Sequence, residues 1–131
     1  MKTIDIKGKD YVTVNERIKY FRENFAGYSM LSEVVFFNES KIVETETTKE
    51  GKTLKGKDAE VLIKACIINP EGKPVAQGLA YEKEGSTFIN KTSFVENCET
   101  SAWGRALANF GIGIDSNVAS ADEVVNSINN K

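Results

Sequence analysis

The sequence predicts an α+β fold in which an antiparallel β-meander packs on a central helix and is preceded by an N-terminal helix. Three observations predict it. A capped amphipathic segment opens at Thr13, short β-type runs fill residues 28–89, and a second capped helical segment opens at Ser93. A chain of 131 residues without a Gly/Ser linker or a repeat suits one domain over residues 1–131, with a short C-terminal helix from about residue 120.

The first helix is predicted from its cap and its apolar spacing. The Thr13 hydroxyl can accept a hydrogen bond from the backbone while Glu16 reaches back, which is the pattern of a capping box. Gly27 supplies a stop, and Arg17 falls away from the apolar face. The residues that recur at helical spacing on that face are Val14, Ile18, Phe21 and Phe25.

Five runs rich in Val, Ile, Thr and aromatic residues predict the meander: SMLSEVVFF, KIVETETT, AEVLIKACII, PVAQGLAYEK and STFIN. Asn69-Pro70-Glu71-Gly72 has the residue preferences of a type I turn, so 59–68 should pair antiparallel with 75–83. One face of that hairpin should meet a core, through Ala59, Val61, Ile63, Ala65 and Ile67. The opposite face is mixed, which suggests cover by another element or another subunit: Glu60, Leu62, Lys64, Cys66 and Ile68.

The second helix is predicted to run from Ser93, which forms a capping box with Glu96, to Gly111. A line of small residues on it, Thr100, Gly104 and Ala108, would let another backbone or a ligand approach closely. Its apolar stripe comprises Val95, Cys98, Ala102, Ala106 and Phe110, joined by Trp103 and Leu107. A third capping box, Ser120 with Glu123, opens a tail helix too short to be stable alone, which should dock on its own domain or on a neighbour.

Charge is distributed unevenly along the chain. Lys and Arg number 17 against 19 Asp and Glu, a net charge of -2, so any polyanion site must be a local patch. The stretch KEGKTLKGK, residues 49–57, is interpreted as a basic loop, and residues 28–48 before it are acidic. These opposite patches could pair within the sheet or between neighbouring protomers.

Several classes of function are excluded or disfavoured by composition. The chain has no histidine, which excludes a Ser/His/Asp or Cys/His triad and a His-ligated zinc, and we expect no enzyme, no catalytic residue and no cofactor. Asp115, Asp122 and Glu123 could be imagined as magnesium ligands, but helix capping explains the last two without a metal. Cys66 and Cys98 are expected to be buried, inert thiols.

Location is predicted from the same sequence features. No apolar run approaches the ~20 residues of a membrane span. The N-terminus lacks the apolar core of a secretion signal. Two cysteines are too few for a disulfide scaffold, and the sequence therefore indicates a reducing cytoplasm.

Two segments give the chain a family resemblance. TSAWGRALANFGIGID (100–115) and VTVNERIKYFRENF (12–25) resemble the small-residue helix and the opening helix of the Erf/Sak-like single-strand annealing proteins of phages, which are related to the eukaryotic annealing mediator. The resemblance implies protomers that assemble into rings or filaments. It also implies a basic groove, between the β-hairpin and the central helix, that holds single-stranded DNA. Arg105 matches a groove arginine, whereas Gly104 and Ala108 stand where the eukaryotic relative is basic.

The resulting expectation is a homo-oligomer that binds single-stranded DNA and anneals strands in phage-type recombination, in the cytoplasm of the host cell if phage-encoded. Such an activity needs cations for phosphates and a surface that leaves the pairing edges free. The expected DNA-binding residues are Lys49, Lys52, Lys55, Lys57, Lys64, Lys91 and Arg105, with Tyr81 and Phe88 as possible stacking surface.

Other interpretations of these residues stay open. The lysines could be a solvated hairpin tip, the aromatic side chains could be packing residues, and Arg105 must meet either a carboxylate, such as Glu99 of a neighbour, or an anion. Other functions also stay open: a single-strand protector without annealing, and a protein-interaction or small-ligand-binding module on the same fold. Nuclease activity is a remote fourth.

Overall fold

The α+β class is confirmed by a computed structural model, which describes residues 2–48, 51–85, 90–114 and 121–129. None of its described helices is long and apolar enough to cross a bilayer. In chain order the elements are β1 (Thr3–Ile6), β2 (Lys9–Val12), α1 (Val14–Asn24), β3 (Ser29–Asn38), β4 (Lys41–Thr48), β5 (Gly51–Lys57), β6 (Glu60–Ile68), β7 (Pro74–Lys83), α2 (Asn90–Phe110) and α3 (Ala121–Asn129).

Helix α1 begins where the sequence predicts. The Thr13 hydroxyl accepts a hydrogen bond from the Glu16 backbone N–H, at 3.1 Å. Before it, β1 and β2 form a hairpin that the sequence analysis missed. Its two-residue turn places Lys7 at φ 53° and Gly8 at φ 84°, the left-handed conformation that tight hairpins require.

The central sheet has the order β3-β6-β7 and is antiparallel throughout. The predicted hairpin of β6 and β7 is confirmed, with Ile63 opposite Ala80. Its turn closes as the residue preferences indicate, because the Gly72 N–H donates to the Asn69 carbonyl oxygen at 2.9 Å. Strand β3 pairs with β6 from Ser29 to Asn38 and carries a bulge after Val34.

Strands β4 and β5 form a second two-stranded sheet; we name the stretch 41–57, of which the structure describes 41–48 and 51–57, the basic arm. Lys41 lies opposite Lys57 just beyond the last β3–β6 pair, so the arm continues those two strands. The interpretation of the whole stretch 49–57 as a loop is wrong, because residues 51–57 form β5. Its glycines and lysines favour no strand by themselves, and the ladder with the Thr- and Val-containing β4 decides the conformation.

One face of the central sheet packs on α2, as predicted. The five residues assigned to that face, from Ala59 to Ile67 in alternation, are all buried. On the helix side the stripe of Cys98, Ala102, Ala106 and Leu107 is fully buried. Gly78 of β7 permits the contact, since a Cβ there would lie 2.4 Å from the Ala106 backbone nitrogen.

The start of α2 differs from the prediction. The helix extends over Asn90–Phe110, but Ser93 has the non-helical angles φ −146° and ψ 31°. Ser93 therefore marks a kink, at the position predicted for the helix start. The predicted strand STFIN is wrong at Asn90, which is helical, and residues 86–89 lie outside the described residues.

Helices α1 and α3 complete the domain. Phe21 and Phe25 of α1 meet Phe110 of α2 at ring-centroid distances of 6.2 and 4.9 Å, which confirms the predicted apolar face. Arg17, expected away from that face, is instead fully buried. Helix α3 docks on its own domain through contacts with β1 and through the buried Ala121.

Candidate nucleic-acid interface

The basic arm holds the main concentration of positive charge in the chain. Between residues 41 and 57 it has five lysines against three glutamates, in a chain whose net charge is -2. The register places Glu44 opposite Lys55 and Thr47 opposite Lys52. The register also places Lys41 opposite Lys57 at the base of the arm.

Helix α2 begins beside the base of the arm. Phe94, one residue after the kink, stacks on Phe37 at a ring-centroid distance of 6.1 Å, and Phe37 lies near the end of β3. Lys91 is in the first turn of α2, so the fold brings it to the same end of the sheet as Lys41 and Lys57. Lys49 and Phe88 lie outside the described residues, and their roles stay predictions.

Lys64 and Tyr81 lie on the outer face, which we define as the face of the central sheet directed away from α2. The Lys64 Nζ is 3.8 Å from an Oε of Glu33, its cross-strand neighbour. The Tyr81 hydroxyl donates to the Glu60 carboxylate, and this hydrogen bond is the main cause of the raised pKa of Tyr81. Both side chains thus have partners within the chain.

Arg105 is separated from the lysines of the arm. Its Nη2 lies 2.6 Å from Glu123 Oε2 of α3, so the carboxylate it meets comes from its own chain. The sequence suggested Glu99 of a neighbouring protomer as a partner for Arg105. Glu99 instead accepts a hydrogen bond from the Ser32 hydroxyl at 2.6 Å. Arg105 lies fourteen positions after Lys91 in α2, which corresponds to a rise of about 21 Å. The described structure therefore does not gather Arg105 and the arm into one groove.

The acidic first turn of α3 is used for protein contacts. Asp122 Oδ2 accepts from the Val14 backbone N–H at 3.0 Å and thereby caps α1 from another helix, while Glu123 pairs with Arg105. Asp115 lies outside the described residues. Among the residues that are described, no three His, Cys, Asp or Glu side chains are placed to share a metal ion.

Arg17 is the residue of this region that the sequence analysis misplaced. Its side chain is fully buried, and its Nη1 donates to the Gly104 carbonyl oxygen at 2.9 Å. Burial lowers the pKa of Arg17, and the charges of Glu123 and Asp122 oppose that shift. The sequence feature that could have indicated this burial is the acidic pair Asp122 and Glu123, because two carboxylates can stabilise a buried cation as well as cap a helix.

The geometry defines a class of small domain: a helix, a three-stranded antiparallel meander and a second helix, with one hairpin extended into a lysine-rich arm. Residues 54–110, less than half of the chain, match a family described as Slr1353 N-terminal dsRNA-binding domain-like. The matched range includes the end of the arm, β6, β7 and α2. No curated protein and no protein of solved structure matches the chain significantly.

This match corrects the family expected from the sequence. The resemblance to Erf/Sak-like annealing proteins is wrong, because the segment 54–110 matches a different family. That segment includes residues 100–110, which carried most of the more specific motif.

Proposed function

We propose that the chain binds nucleic acid through the basic arm, and that double-stranded RNA is its preferred ligand. The observation that carries the proposal is the position of the arm: a lysine-rich hairpin that extends the central sheet, whose last four residues (54–57) begin the segment that matches a dsRNA-binding-domain-like family. Because the arm extends beyond the sheet, its cations can neutralise phosphates while the acidic remainder of the chain stays at a distance from the nucleic acid.

Recognition by this surface would depend on backbone shape and not on base sequence. The major groove of duplex RNA is too deep and narrow for side chains to read, and proteins contact the duplex mostly through phosphates and 2′-hydroxyls. The sequence of the arm contains lysines and threonines, whose side chains can donate hydrogen bonds to both groups. Lys91, at the start of α2 near the arm base, would add a further phosphate contact. The activity involves no chemical step, and we propose no catalytic residue.

A titration with labelled oligonucleotides tests the ligand class. A duplex RNA of about 20 base pairs, the same sequence as duplex DNA, and single strands of each are titrated at several salt concentrations. We expect duplex RNA to bind most tightly, with log K falling linearly against log salt concentration because counterions are released. Tighter binding of single-stranded DNA would reject the duplex preference, and no binding at low salt would reject the function.

A pair of triple variants tests the site. We expect Lys52→Ala, Lys55→Ala and Lys57→Ala together to weaken binding and to reduce the salt slope by up to about three, because each lysine that contacts a phosphate contributes about one. The matched control removes the same charge from exposed positions outside the arm, at Lys2, Lys9 and Lys73. Equal effects of the two triple variants would mean that net charge, and not the arm, determines affinity.

A further inference from the structure

The outer face of the central sheet exposes several large apolar side chains around a few charged ones. Leu31 of β3 and Leu79 of β7 are 58% and 48% exposed, and Phe36 and Tyr81 lie beside each other with ring centroids 6.4 Å apart. In the registers these residues flank Leu62, Lys64 and Cys66 of the middle strand. A cluster of exposed large apolar side chains on one face is typical of an interaction site.

The described elements of the chain pack elsewhere. Helix α2 covers the opposite face of the sheet, where Val61, Ile63 and Ala80 are buried. Helix α1 packs on α2, and α3 contacts β1 and caps α1 through Asp122. The occupant of the outer face therefore comes from outside the described part of this chain.

The charges on the outer face indicate which kind of partner fits. Glu33 and Lys64 lie near its centre, and Glu60 lies opposite Lys83 toward one end. Two acids balance two bases, so the face has no net attraction for phosphates. The two signs lie side by side, so a copy rotated by a two-fold axis can place its Lys64 against Glu33 and its Glu33 against Lys64. Such reciprocity is what an isologous interface requires.

We propose that the outer face packs against the same face of a second copy of this chain. Nine paired positions on three strands give a flat footprint of about 30 Å by 14 Å, or roughly 400 Å². That is below the ~800 Å² per partner of a standard stable interface. The dimer is therefore weak and concentration-dependent.

Sedimentation equilibrium over a wide range of protein concentration, without nucleic acid, tests the association. We expect a monomer–dimer equilibrium that Leu31→Glu weakens by about tenfold or more, because it places a charge in the apolar contact. The matched control is Ile114→Glu, at a residue 56% exposed outside the sheet, which should leave the equilibrium unchanged. Since Leu31 is largely exposed in the monomer, the thermal unfolding of both variants should remain close to that of the parent chain.

Charge exchange and cross-linking test the two-fold geometry. Glu33→Lys and Lys64→Glu should each weaken the dimer, and the double variant should restore it, because the reciprocal contact is rebuilt with reversed signs. A short bis-maleimide should join two copies through Cys66 on the outer face, while the fully buried Cys98 does not react.

Three results would overturn the proposal: a monomer at every concentration, a dimer that persists in Leu31→Glu, or equal weakening by Ile114→Glu. The measurements are made without RNA, so they stand apart from the test of nucleic-acid binding.

Discussion

Arg17 and Gly104 join helices α1 and α2, which are distant in the sequence, through one hydrogen bond. The Arg17 Nη1 donates to the Gly104 carbonyl oxygen at 2.9 Å across 87 residues of sequence. The site is tight, since a Cβ on Gly113 would lie 3.0 Å from Arg17 Nε. Asp122 and Glu123 add negative charge nearby, which offsets part of the cost of burying the guanidinium. One side chain thus connects α1, α2 and α3.

Removing this guanidinium should destabilise the fold. We expect Arg17→Ala to lower the free energy of unfolding by about 3–5 kcal/mol, because it breaks a buried, charge-assisted contact and leaves a cavity. The matched control is Arg22→Ala in the same helix, where the side chain is exposed and lies 5.8 Å from the Phe21 ring centroid. That variant should cost about 1 kcal/mol or less. Urea unfolding measures both, and similar losses would show that Arg17 has no special structural role.

The contact between β7 and α2 predicts a strong effect of one methyl group. Gly78→Ala would place a Cβ 2.4 Å from the Ala106 nitrogen and 2.7 Å from the Ala102 carbonyl oxygen, both backbone atoms that cannot rotate away. We expect a loss of about 3 kcal/mol, at the upper end of ordinary overpacking. Gly8→Ala, which has open space but φ +84°, should cost about 1 kcal/mol from backbone strain alone. A Gly78 variant as stable as the Gly8 variant would contradict the packing described.

The two cysteines should react at different rates. Cys98 is fully buried and its Sγ lies 3.2 Å from the Ala80 carbonyl oxygen, and burial raises the pKa of its thiol to about 11. Cys66, on the outer face, is only partly buried, contrary to the expectation of two buried thiols. With dilute native protein at pH 8 we expect iodoacetamide to modify Cys66 alone, as read by mass spectrometry. Cys98 should react on unfolding, and equal native rates would contradict this assignment.

The same raised pKa predicts how stability depends on pH. The folded-state pKa of Cys98 lies above its ordinary value of 9.0, so folding favours the neutral thiol. This contribution to stability is fully present below pH 9 and is lost as pH rises through about 11. A Cys98→Ala variant should therefore lose less stability between pH 9 and 11 than the parent chain. Parallel loss in both chains, measured by urea unfolding at each pH, would contradict it.

Local patterns predicted local structure well. The Thr13 cap and its apolar spacing placed α1 correctly, and Asn69 to Gly72 placed the turn between β6 and β7. Alternation along β6 identified its buried face, because a strand shows each face at every second residue. The arm was misread, since a short run of Gly and Lys has no strand preference of its own and becomes a strand only by pairing with β4.

The candidate site was only partly predictable. Lysine spacing identified the basic stretch 49–57, and the ladder then placed Lys41 opposite Lys57 in the register. The partner of Arg105 was not predictable, because periodicity shows which face of a helix is apolar but not which distant side chain approaches the other faces. The family was assigned wrongly because the resemblance rested mainly on a helix rich in small residues. Close helix packing requires such residues in many unrelated folds, so they do not identify a family.

The amino-acid sequence by itself determined the α+β class, the two main helices, the hairpin of β6 and β7 and the local excess of lysine, because each depends on residues close together in the chain. Only the tertiary structure decided that Arg17 is buried, that Glu123 neutralises Arg105 and that the outer face of the sheet is exposed. Those outcomes depend on contacts between elements far apart in sequence, whose strength comes from burial and charge in the assembled domain.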